Sequence, residues 1–340
     1  MSHRNHGCRF RDFVWEDHRS ITLENESLRV LVVADKGADI LEFLHKPTDT
    51  ECLWQSPSGL RPARFHPSSP LEAGHFREYF AGGWYEMLPN GPRPCEHRGA
   101  RFGYHGEATL LPWEVAIEAD APECVRVRFS MRLNRIPLRV IKTMELRRGQ
   151  PTLFLTEKIT NEAGQEVEFL WGQHPTFGAP LLEPGARVVI PPCEVVVPET
   201  VAADARLAPG QRSPWPFVCG AKGERIDLSI VPPREAQSHD FVRLEGLQEG
   251  WFTLANPARG VGFTLRYDQR LFPVLGYWQL FGGGPDYPWY RRHFLAALEP
   301  ACDLPSLAEA AKHGTAIQLQ PHGSIEAMFE ASVTTGAFAA

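Results

Sequence analysis

Apolar residues recur at every second position along much of this chain, and that spacing decides which regular structure can bury them. In "VRVRFSMRL", Val125, Val127, Phe129, Met131 and Leu133 share one face, while Arg126, Arg128, Ser130 and Arg132 share the other. "GVGFTLRYD" aligns Val261, Phe263, Leu265 and Tyr267, and "SIEAMFEASV" aligns Ile325, Ala327, Phe329, Ala331 and Val333. Period two belongs to a strand with one buried and one wet face, not to a helix. Prolines (30) and glycines (29) are spread evenly between these runs. They place a turn signal about every 8–12 residues. The pattern predicts an all-β fold of many short antiparallel strands, a large sandwich or barrel with very little helix. No fixed-period repeat is present, which argues against a propeller.

Two hairpins are predicted. Residues 152–160 and 166–171 flank Asn161-Glu162-Ala163-Gly164, and "WFTLANPARGVGFTLRY" turns through Asn256-Pro257 and Gly260. The best helix signal is 306–314, where Ser306 and Glu309 form a capping box and Gly314 supplies the stop. No linker of changed composition interrupts the chain, so residues 1–340 read as one domain, with 334–340 a loose tail.

Of the 340 residues, 43% are hydrophobic, ample for a large core. The net charge is −6 and no run of Lys or Arg exceeds two, so nucleic acid and membrane surfaces are excluded as partners. The N-terminus lacks the apolar region of a signal peptide, and no apolar run approaches the ~20 residues that span a bilayer. Seven cysteines lie far apart with no C-x-x-C pair, the pattern of free thiols in a reducing cytoplasm. A cytoplasmic location is expected.

Four ionisable groups are pinned among Gly, Pro and aromatic residues. In "FLWGQHPTFGAP", Pro175 biases His174 towards an extended backbone, and the histidine is expected just past a strand end. "GYHGEA" holds His105, "SHDFVRLEGL" holds Asp240, and "ALEPACDLP" holds Glu299 after the apolar run 294–298. A positioned carboxylate and imidazole make a workable base and acid at neutral pH. The bland alternatives are a buried, satisfied histidine and a glutamate paired with Arg291 or Arg292. Aromatic residues gather in "AGGWYEMLPNGP" (Trp84, Tyr85), "GYWQLFGG" (Trp278) and "DYPWYRR" (Trp289, Tyr290), and sugar rings present flat C–H faces to such groups. Trp113, Trp215 and Trp251 are expected to pack in the core or loops. No H-x-H or H-E-x-x-H occurs, so no metal is expected, and neither a G-x-S-x-G nor a P-loop is present. "FGGGPDYP", 281–288, reads as a mobile loop.

In chain order these segments resemble the aldose 1-epimerase (galactose mutarotase) family. "ITLENESLRVLVVADKGADILEFLHK" resembles its first strands. "GGWYEMLPNGP" with "RFGYHGEATLLPWEV" resembles its substrate-facing segment, and "WGQHPTFG" its H-P segment. "LAALEPACDLPSL" resembles its late E-P segment, and "GTAIQLQPHGSIEAMFEASV" its closing hairpin. The match runs from about residue 20 to 333. The resemblance implies a large antiparallel β-supersandwich that interconverts sugar anomers without a cofactor. Glu299 would be the base at the anomeric hydroxyl and His174 the acid at the ring oxygen. His105 would bind sugar or assist protonation, Asp240 would hold hydroxyls, and Trp278 would line the sugar site. Hexose-phosphate relatives place an Arg just before the Gly-Gly where this chain has Ala81, and Glu86 or Arg101 stand nearby instead. An unphosphorylated aldose or close derivative is therefore the expected partner. His174 and Glu299 are expected to flank it about 5–7 Å apart, by analogy with carboxyl pairs that flank sugars. Two alternatives keep the fold: a non-catalytic carbohydrate-binding or sensing protein, and a lyase or glycosidase pairing Glu299 with Glu107 or Glu86.

Overall fold

In a computed structural model, which describes residues 4–61 and 73–338, the alternating segments form two large antiparallel sheets. The larger has 12 strands. Its central order is Asp39–His45, Trp84–Met87, Gly172–Phe177, Phe294–Ala301, Val274–Phe281, Ser238–Glu245. The second has eight strands, with Ser324–Thr335 at its centre between Val261–Tyr267 and Thr152–Asn161. Phe43 and Phe177 of the large sheet meet Phe263 of the second with ring centroids 5.2 and 5.1 Å apart. Each such fully buried ring contributes about 1.5–3 kcal/mol relative to exposure.

The period-two faces fall as expected. Val125, Val127, Phe129, Met131 and Leu133 are buried, as are Val261, Phe263, Leu265 and Tyr267, and Ala327, Phe329, Ala331 and Val333. Trp251–Asn256 and Val261–Tyr267 form the second predicted hairpin. The helix Leu307–His313 carries the capping box at Ser306 and Glu309, and Gly314 closes it at φ +72. None of the seven cysteines is in a disulfide. Among the described residues no helix is long and apolar enough to cross a membrane.

Four expectations are corrected. Thr152–Asn161 pairs with Leu138–Arg147 and Ser324–Thr335, not with the segment after the turn. That segment yields a short strand, Val167–Phe169, paired with Ile317–Leu319. His174 sits within a strand, Gly172–Phe177, near the middle of the large sheet rather than past a strand end. The tail is partly fastened: Ser324–Thr335 runs into it and Gly336 N–H donates to the Gly260 carbonyl at 3.0 Å. Finally, a second helix, Ala73–Tyr79, lies over the outer face of the large sheet and carries no end signal in the sequence.

Candidate active site

Side chains on a strand alternate between faces, so each strand of the large sheet sends one set inward to the second sheet and the other outward. On Gly172–Phe177 the inward set ends in Phe177, and His174 therefore faces out. Register places His174 beside Tyr85, and Gly276 beside Glu299. The outward set thus brings Tyr85, His174, Glu299, Trp278 and His239 onto one surface. Phe76, Arg77 and Phe80 of the helical segment cover it, leaving a cavity of about 550 Å³ that these residues line.

At its floor His174 Nε2 lies 3.2 Å from Glu299 Oε1, and both side chains are almost fully buried. The other ring nitrogen, Nδ1, is 3.1 Å from Thr176 Oγ1. Tyr85 stacks on the His174 ring, with centroids 4.4 Å apart. The expected separation of 5–7 Å is therefore replaced by direct contact. Pro175 and Pro300 lie on the two adjoining strands, and neither can donate to a ladder. Pairing between those strands is confined to Gly172 with Ala301, Thr176 with Ala297 and Phe177 with Ala296, so His174 and Glu299 occupy the interruption. Gly276 opposite Glu299 supplies room: a Cβ there would stand 3.3 Å from the carboxylate oxygen Oε2.

His105 joins the wall through its φ of +59, a left-handed conformation that costs about 1–3 kcal/mol in a non-glycine residue. Its Nδ1 is 2.8 Å from the Tyr85 hydroxyl, and its ring centroid is 5.3 Å from that of His174. Burial, then the nearby His174 and Arg77, hold its imidazole well below the usual histidine range, so it is neutral at pH 7. Burial raises the phenols of Tyr85 and Tyr104, the latter to about 12, with Glu299 adding to both, so both stay protonated. Trp278 Nε1 donates to His239 Nε2 at 2.9 Å, which fixes the proton of the neutral His239 ring on Nδ1. Trp289 packs on Trp278 at 5.2 Å, and the 281–288 loop before it is tied by Gly284 N–H donating to Asp204 Oδ2 at 2.7 Å.

The depressed histidine carries a pH prediction. An unfolded histidine titrates near pH ~6.5, and below that the unfolded chain takes up a proton that folded His105 refuses. Stability is intact above that pH and is lost as pH falls through it. His45, His239 and His293 are lowered by burial in the same sense. Thermal melts should therefore show Tm declining below about pH 6.5, and His105→Asn should flatten that decline in part. Equal losses in both proteins would remove His105 from the effect.

Two predicted binding residues, Glu86 and Arg101, are corrected. Glu86 is one residue out of phase with Tyr85 and faces inward, where its Oε1 lies 3.0 Å from Lys142 Nζ. Asp240, by contrast, borders the cavity, and Arg206 donates to each of its oxygens at 2.8 Å. Arg101 projects from the short hairpin Cys95–His97/Ala100–Phe102, exposed and 3.8 Å from Glu96, and does not line the cavity. Glu107 is likewise occupied, 2.8 Å from Arg135 Nη1. Phe76, Arg77 and Phe80 escaped the sequence reading; the i, i+4 spacing of Phe76 and Phe80 was the available signal. Among the described residues, no group of three or more His, Cys, Asp or Glu is placed to hold a metal ion.

This architecture is the galactose mutarotase-like β-sandwich. A candidate aldose 1-epimerase from Klebsiella pneumoniae superposes with TM-score 0.75 at 17% identity, over 97% of this chain and 84% of that one. A galactose mutarotase related enzyme from Lactobacillus acidophilus gives 0.64 at 18% identity, over 94% and 98%. A galactose mutarotase-like protein from Lactobacillus casei gives 0.58 at 17%, over 93% and 100%. At these identities the likeness carries the fold. The chain belongs to the family described as "Domain of unknown function (DUF4432)", which matches residues 16–333. No curated protein matches it.

Proposed function

We propose that this chain, read as one domain over residues 1–340, is a mutarotase-type isomerase that interconverts the anomers of an aldose or aldose derivative. The observation that carries the reading is the 3.2 Å contact of His174 Nε2 with Glu299 Oε1 at the floor of an aromatic cavity. Ring opening acts on two oxygens borne by one carbon. Glu299 takes the proton of the anomeric hydroxyl, the bond from the anomeric carbon to the ring oxygen breaks, and that oxygen takes a proton from His174. The free aldehyde turns about its bond to the next carbon. Closure on the other face returns both protons and reverses the roles. An acid and a base side by side suit such geminal oxygens better than groups across the ring. Each contributes typically about 10²–10⁴-fold. Tyr85 holds the His174 ring in place, while Trp278 offers a flat surface to the sugar.

A glycosidase needs two carboxylates about 5–9.5 Å apart across the scissile bond. Glu86 and Glu107, the two candidate partners for Glu299, are both held by cations away from the cavity. Polarimetry of freshly dissolved α-anomers tests the proposal. The excess rotation should decay faster with the protein across at least part of a panel of aldoses and derivatives. No acceleration, with a sugar-dependent rise in Tm retained, would assign the cavity to binding alone.

A further inference from the structure

We infer that the ligand of this cavity carries one carboxylate, which Arg77 binds; the aldose derivative is then a uronate. The inference rests on the site proposed above and concerns its substrate class.

It comes from the charge left over around the cavity. Its acids are already matched. Glu299 meets His174, both oxygens of Asp240 accept from Arg206, and Glu309 lies 3.4 Å from Arg93. Of its arginines, Arg93 is thereby paired, and Arg243 reaches Asp303 and Glu245, each at 2.9 Å. Arg77 is different. Its guanidinium stands 5.7 Å from the Tyr104 ring centroid, and among the described residues it has no carboxylate partner. It lines the cavity while itself exposed to solvent, and its charge lowers both His105 and His239.

No asparagine or glutamine lines the cavity; among the described residues its neutral hydrogen-bonding side chains are Thr200, Tyr85, Tyr104 and the neutral His105 and His239. Among its charged side chains one cation without a carboxylate partner remains, Arg77. A planar guanidinium matches a carboxylate through two parallel hydrogen bonds. A phosphate monoester carries about −1.5 to −2 at pH 7 and would leave charge unmatched by a single arginine.

Calorimetric titration of wild type, Arg77→Met and Arg77→Lys with D-glucuronate, D-galacturonate, D-glucose and D-glucose 6-phosphate tests the inference. In the wild type at least one uronate should bind more tightly than D-glucose, and less tightly as salt is raised. Arg77→Met should weaken that uronate about 10- to 100-fold, the loss of a charge-assisted pair, and weaken D-glucose by a smaller factor. Arg77→Lys should recover part of the loss. Equal or tighter binding of D-glucose, tighter binding of the phosphate, or equal uronate affinity in Arg77→Met would each overturn it. Anomer exchange is read separately: glucose-preferring catalysis sinks this inference and leaves the mutarotase reading standing. Uronate binding through Arg77 with no exchange does the reverse.

Discussion

Replacing Glu299 by glutamine is expected to lower the protein's acceleration of anomer exchange by about 10²–10⁴-fold. The carboxamide keeps the size of the side chain and can still meet His174 Nε2, 3.2 Å away in the native site, so little structure should change. What it cannot do is accept the anomeric proton. Ligand binding should survive, because the aromatic wall and Arg77 are untouched. His174→Asn should cost a similar factor by removing the donor to the ring oxygen. The double variant should lose little more than the worse single one, since acid and base act in one step. Rotation decay at equal protein concentrations, with calorimetry for binding, reads all three. A Glu299→Gln protein that keeps the wild-type rate would end the assignment of Glu299 as base, whatever became of His174.

The two ends of this pair were legible in the sequence because their neighbours are unusual: a proline follows each, and apolar runs precede them. Their contact was not legible, since it depends on Gly172–Phe177 and Phe294–Ala301 lying side by side across more than a hundred intervening residues. The strands themselves were read from period two, and Val125 to Leu133 is buried as that period requires. Phase was the weak point. Glu86 adjoins a cavity residue, Tyr85, and a one-residue step reverses the face of a strand. Nothing local says which of two neighbours faces the ligand; the opposite sheet decides, by offering Lys142 to Glu86. Arg77 escaped for another reason. Its helix of seven residues, Ala73–Tyr79, has neither capping signal nor length to announce it, and is held instead by rings such as Phe76 against Tyr85.

Behind the site, on the inward face of the same strands, Lys142 Nζ lies 3.0 Å from Glu86 Oε1 and 3.8 Å from Glu157 Oε1. Gln173, the neighbour of His174, donates to Glu157 Oε2 at 2.9 Å and accepts from Trp84 Nε1 at 2.7 Å. All three charged groups are buried. Burial, then Glu86, pushes the Glu157 carboxyl well above its usual range, so it keeps its proton. Burial opposes the charge on Lys142, but Glu86 and Glu157 together hold its pKa above the ordinary lysine value. Within the cluster Lys142 is then an ammonium and Glu157 a neutral acid. Lys142→Met strands Glu86 in the interior and should cost about 3–5 kcal/mol of stability, read by chemical denaturation. Glu157→Gln imitates the protonated acid and should cost about 1 kcal/mol or less. Above pH ~4.3 an unfolded glutamate releases its proton while folded Glu157 keeps it, so this residue lowers stability as pH rises. The difference between Glu157→Gln and wild type should therefore move in the variant's favour from that pH upwards. If Glu157→Gln proved as damaging as Lys142→Met, Glu157 would be ionised and its buried proton would have to be abandoned.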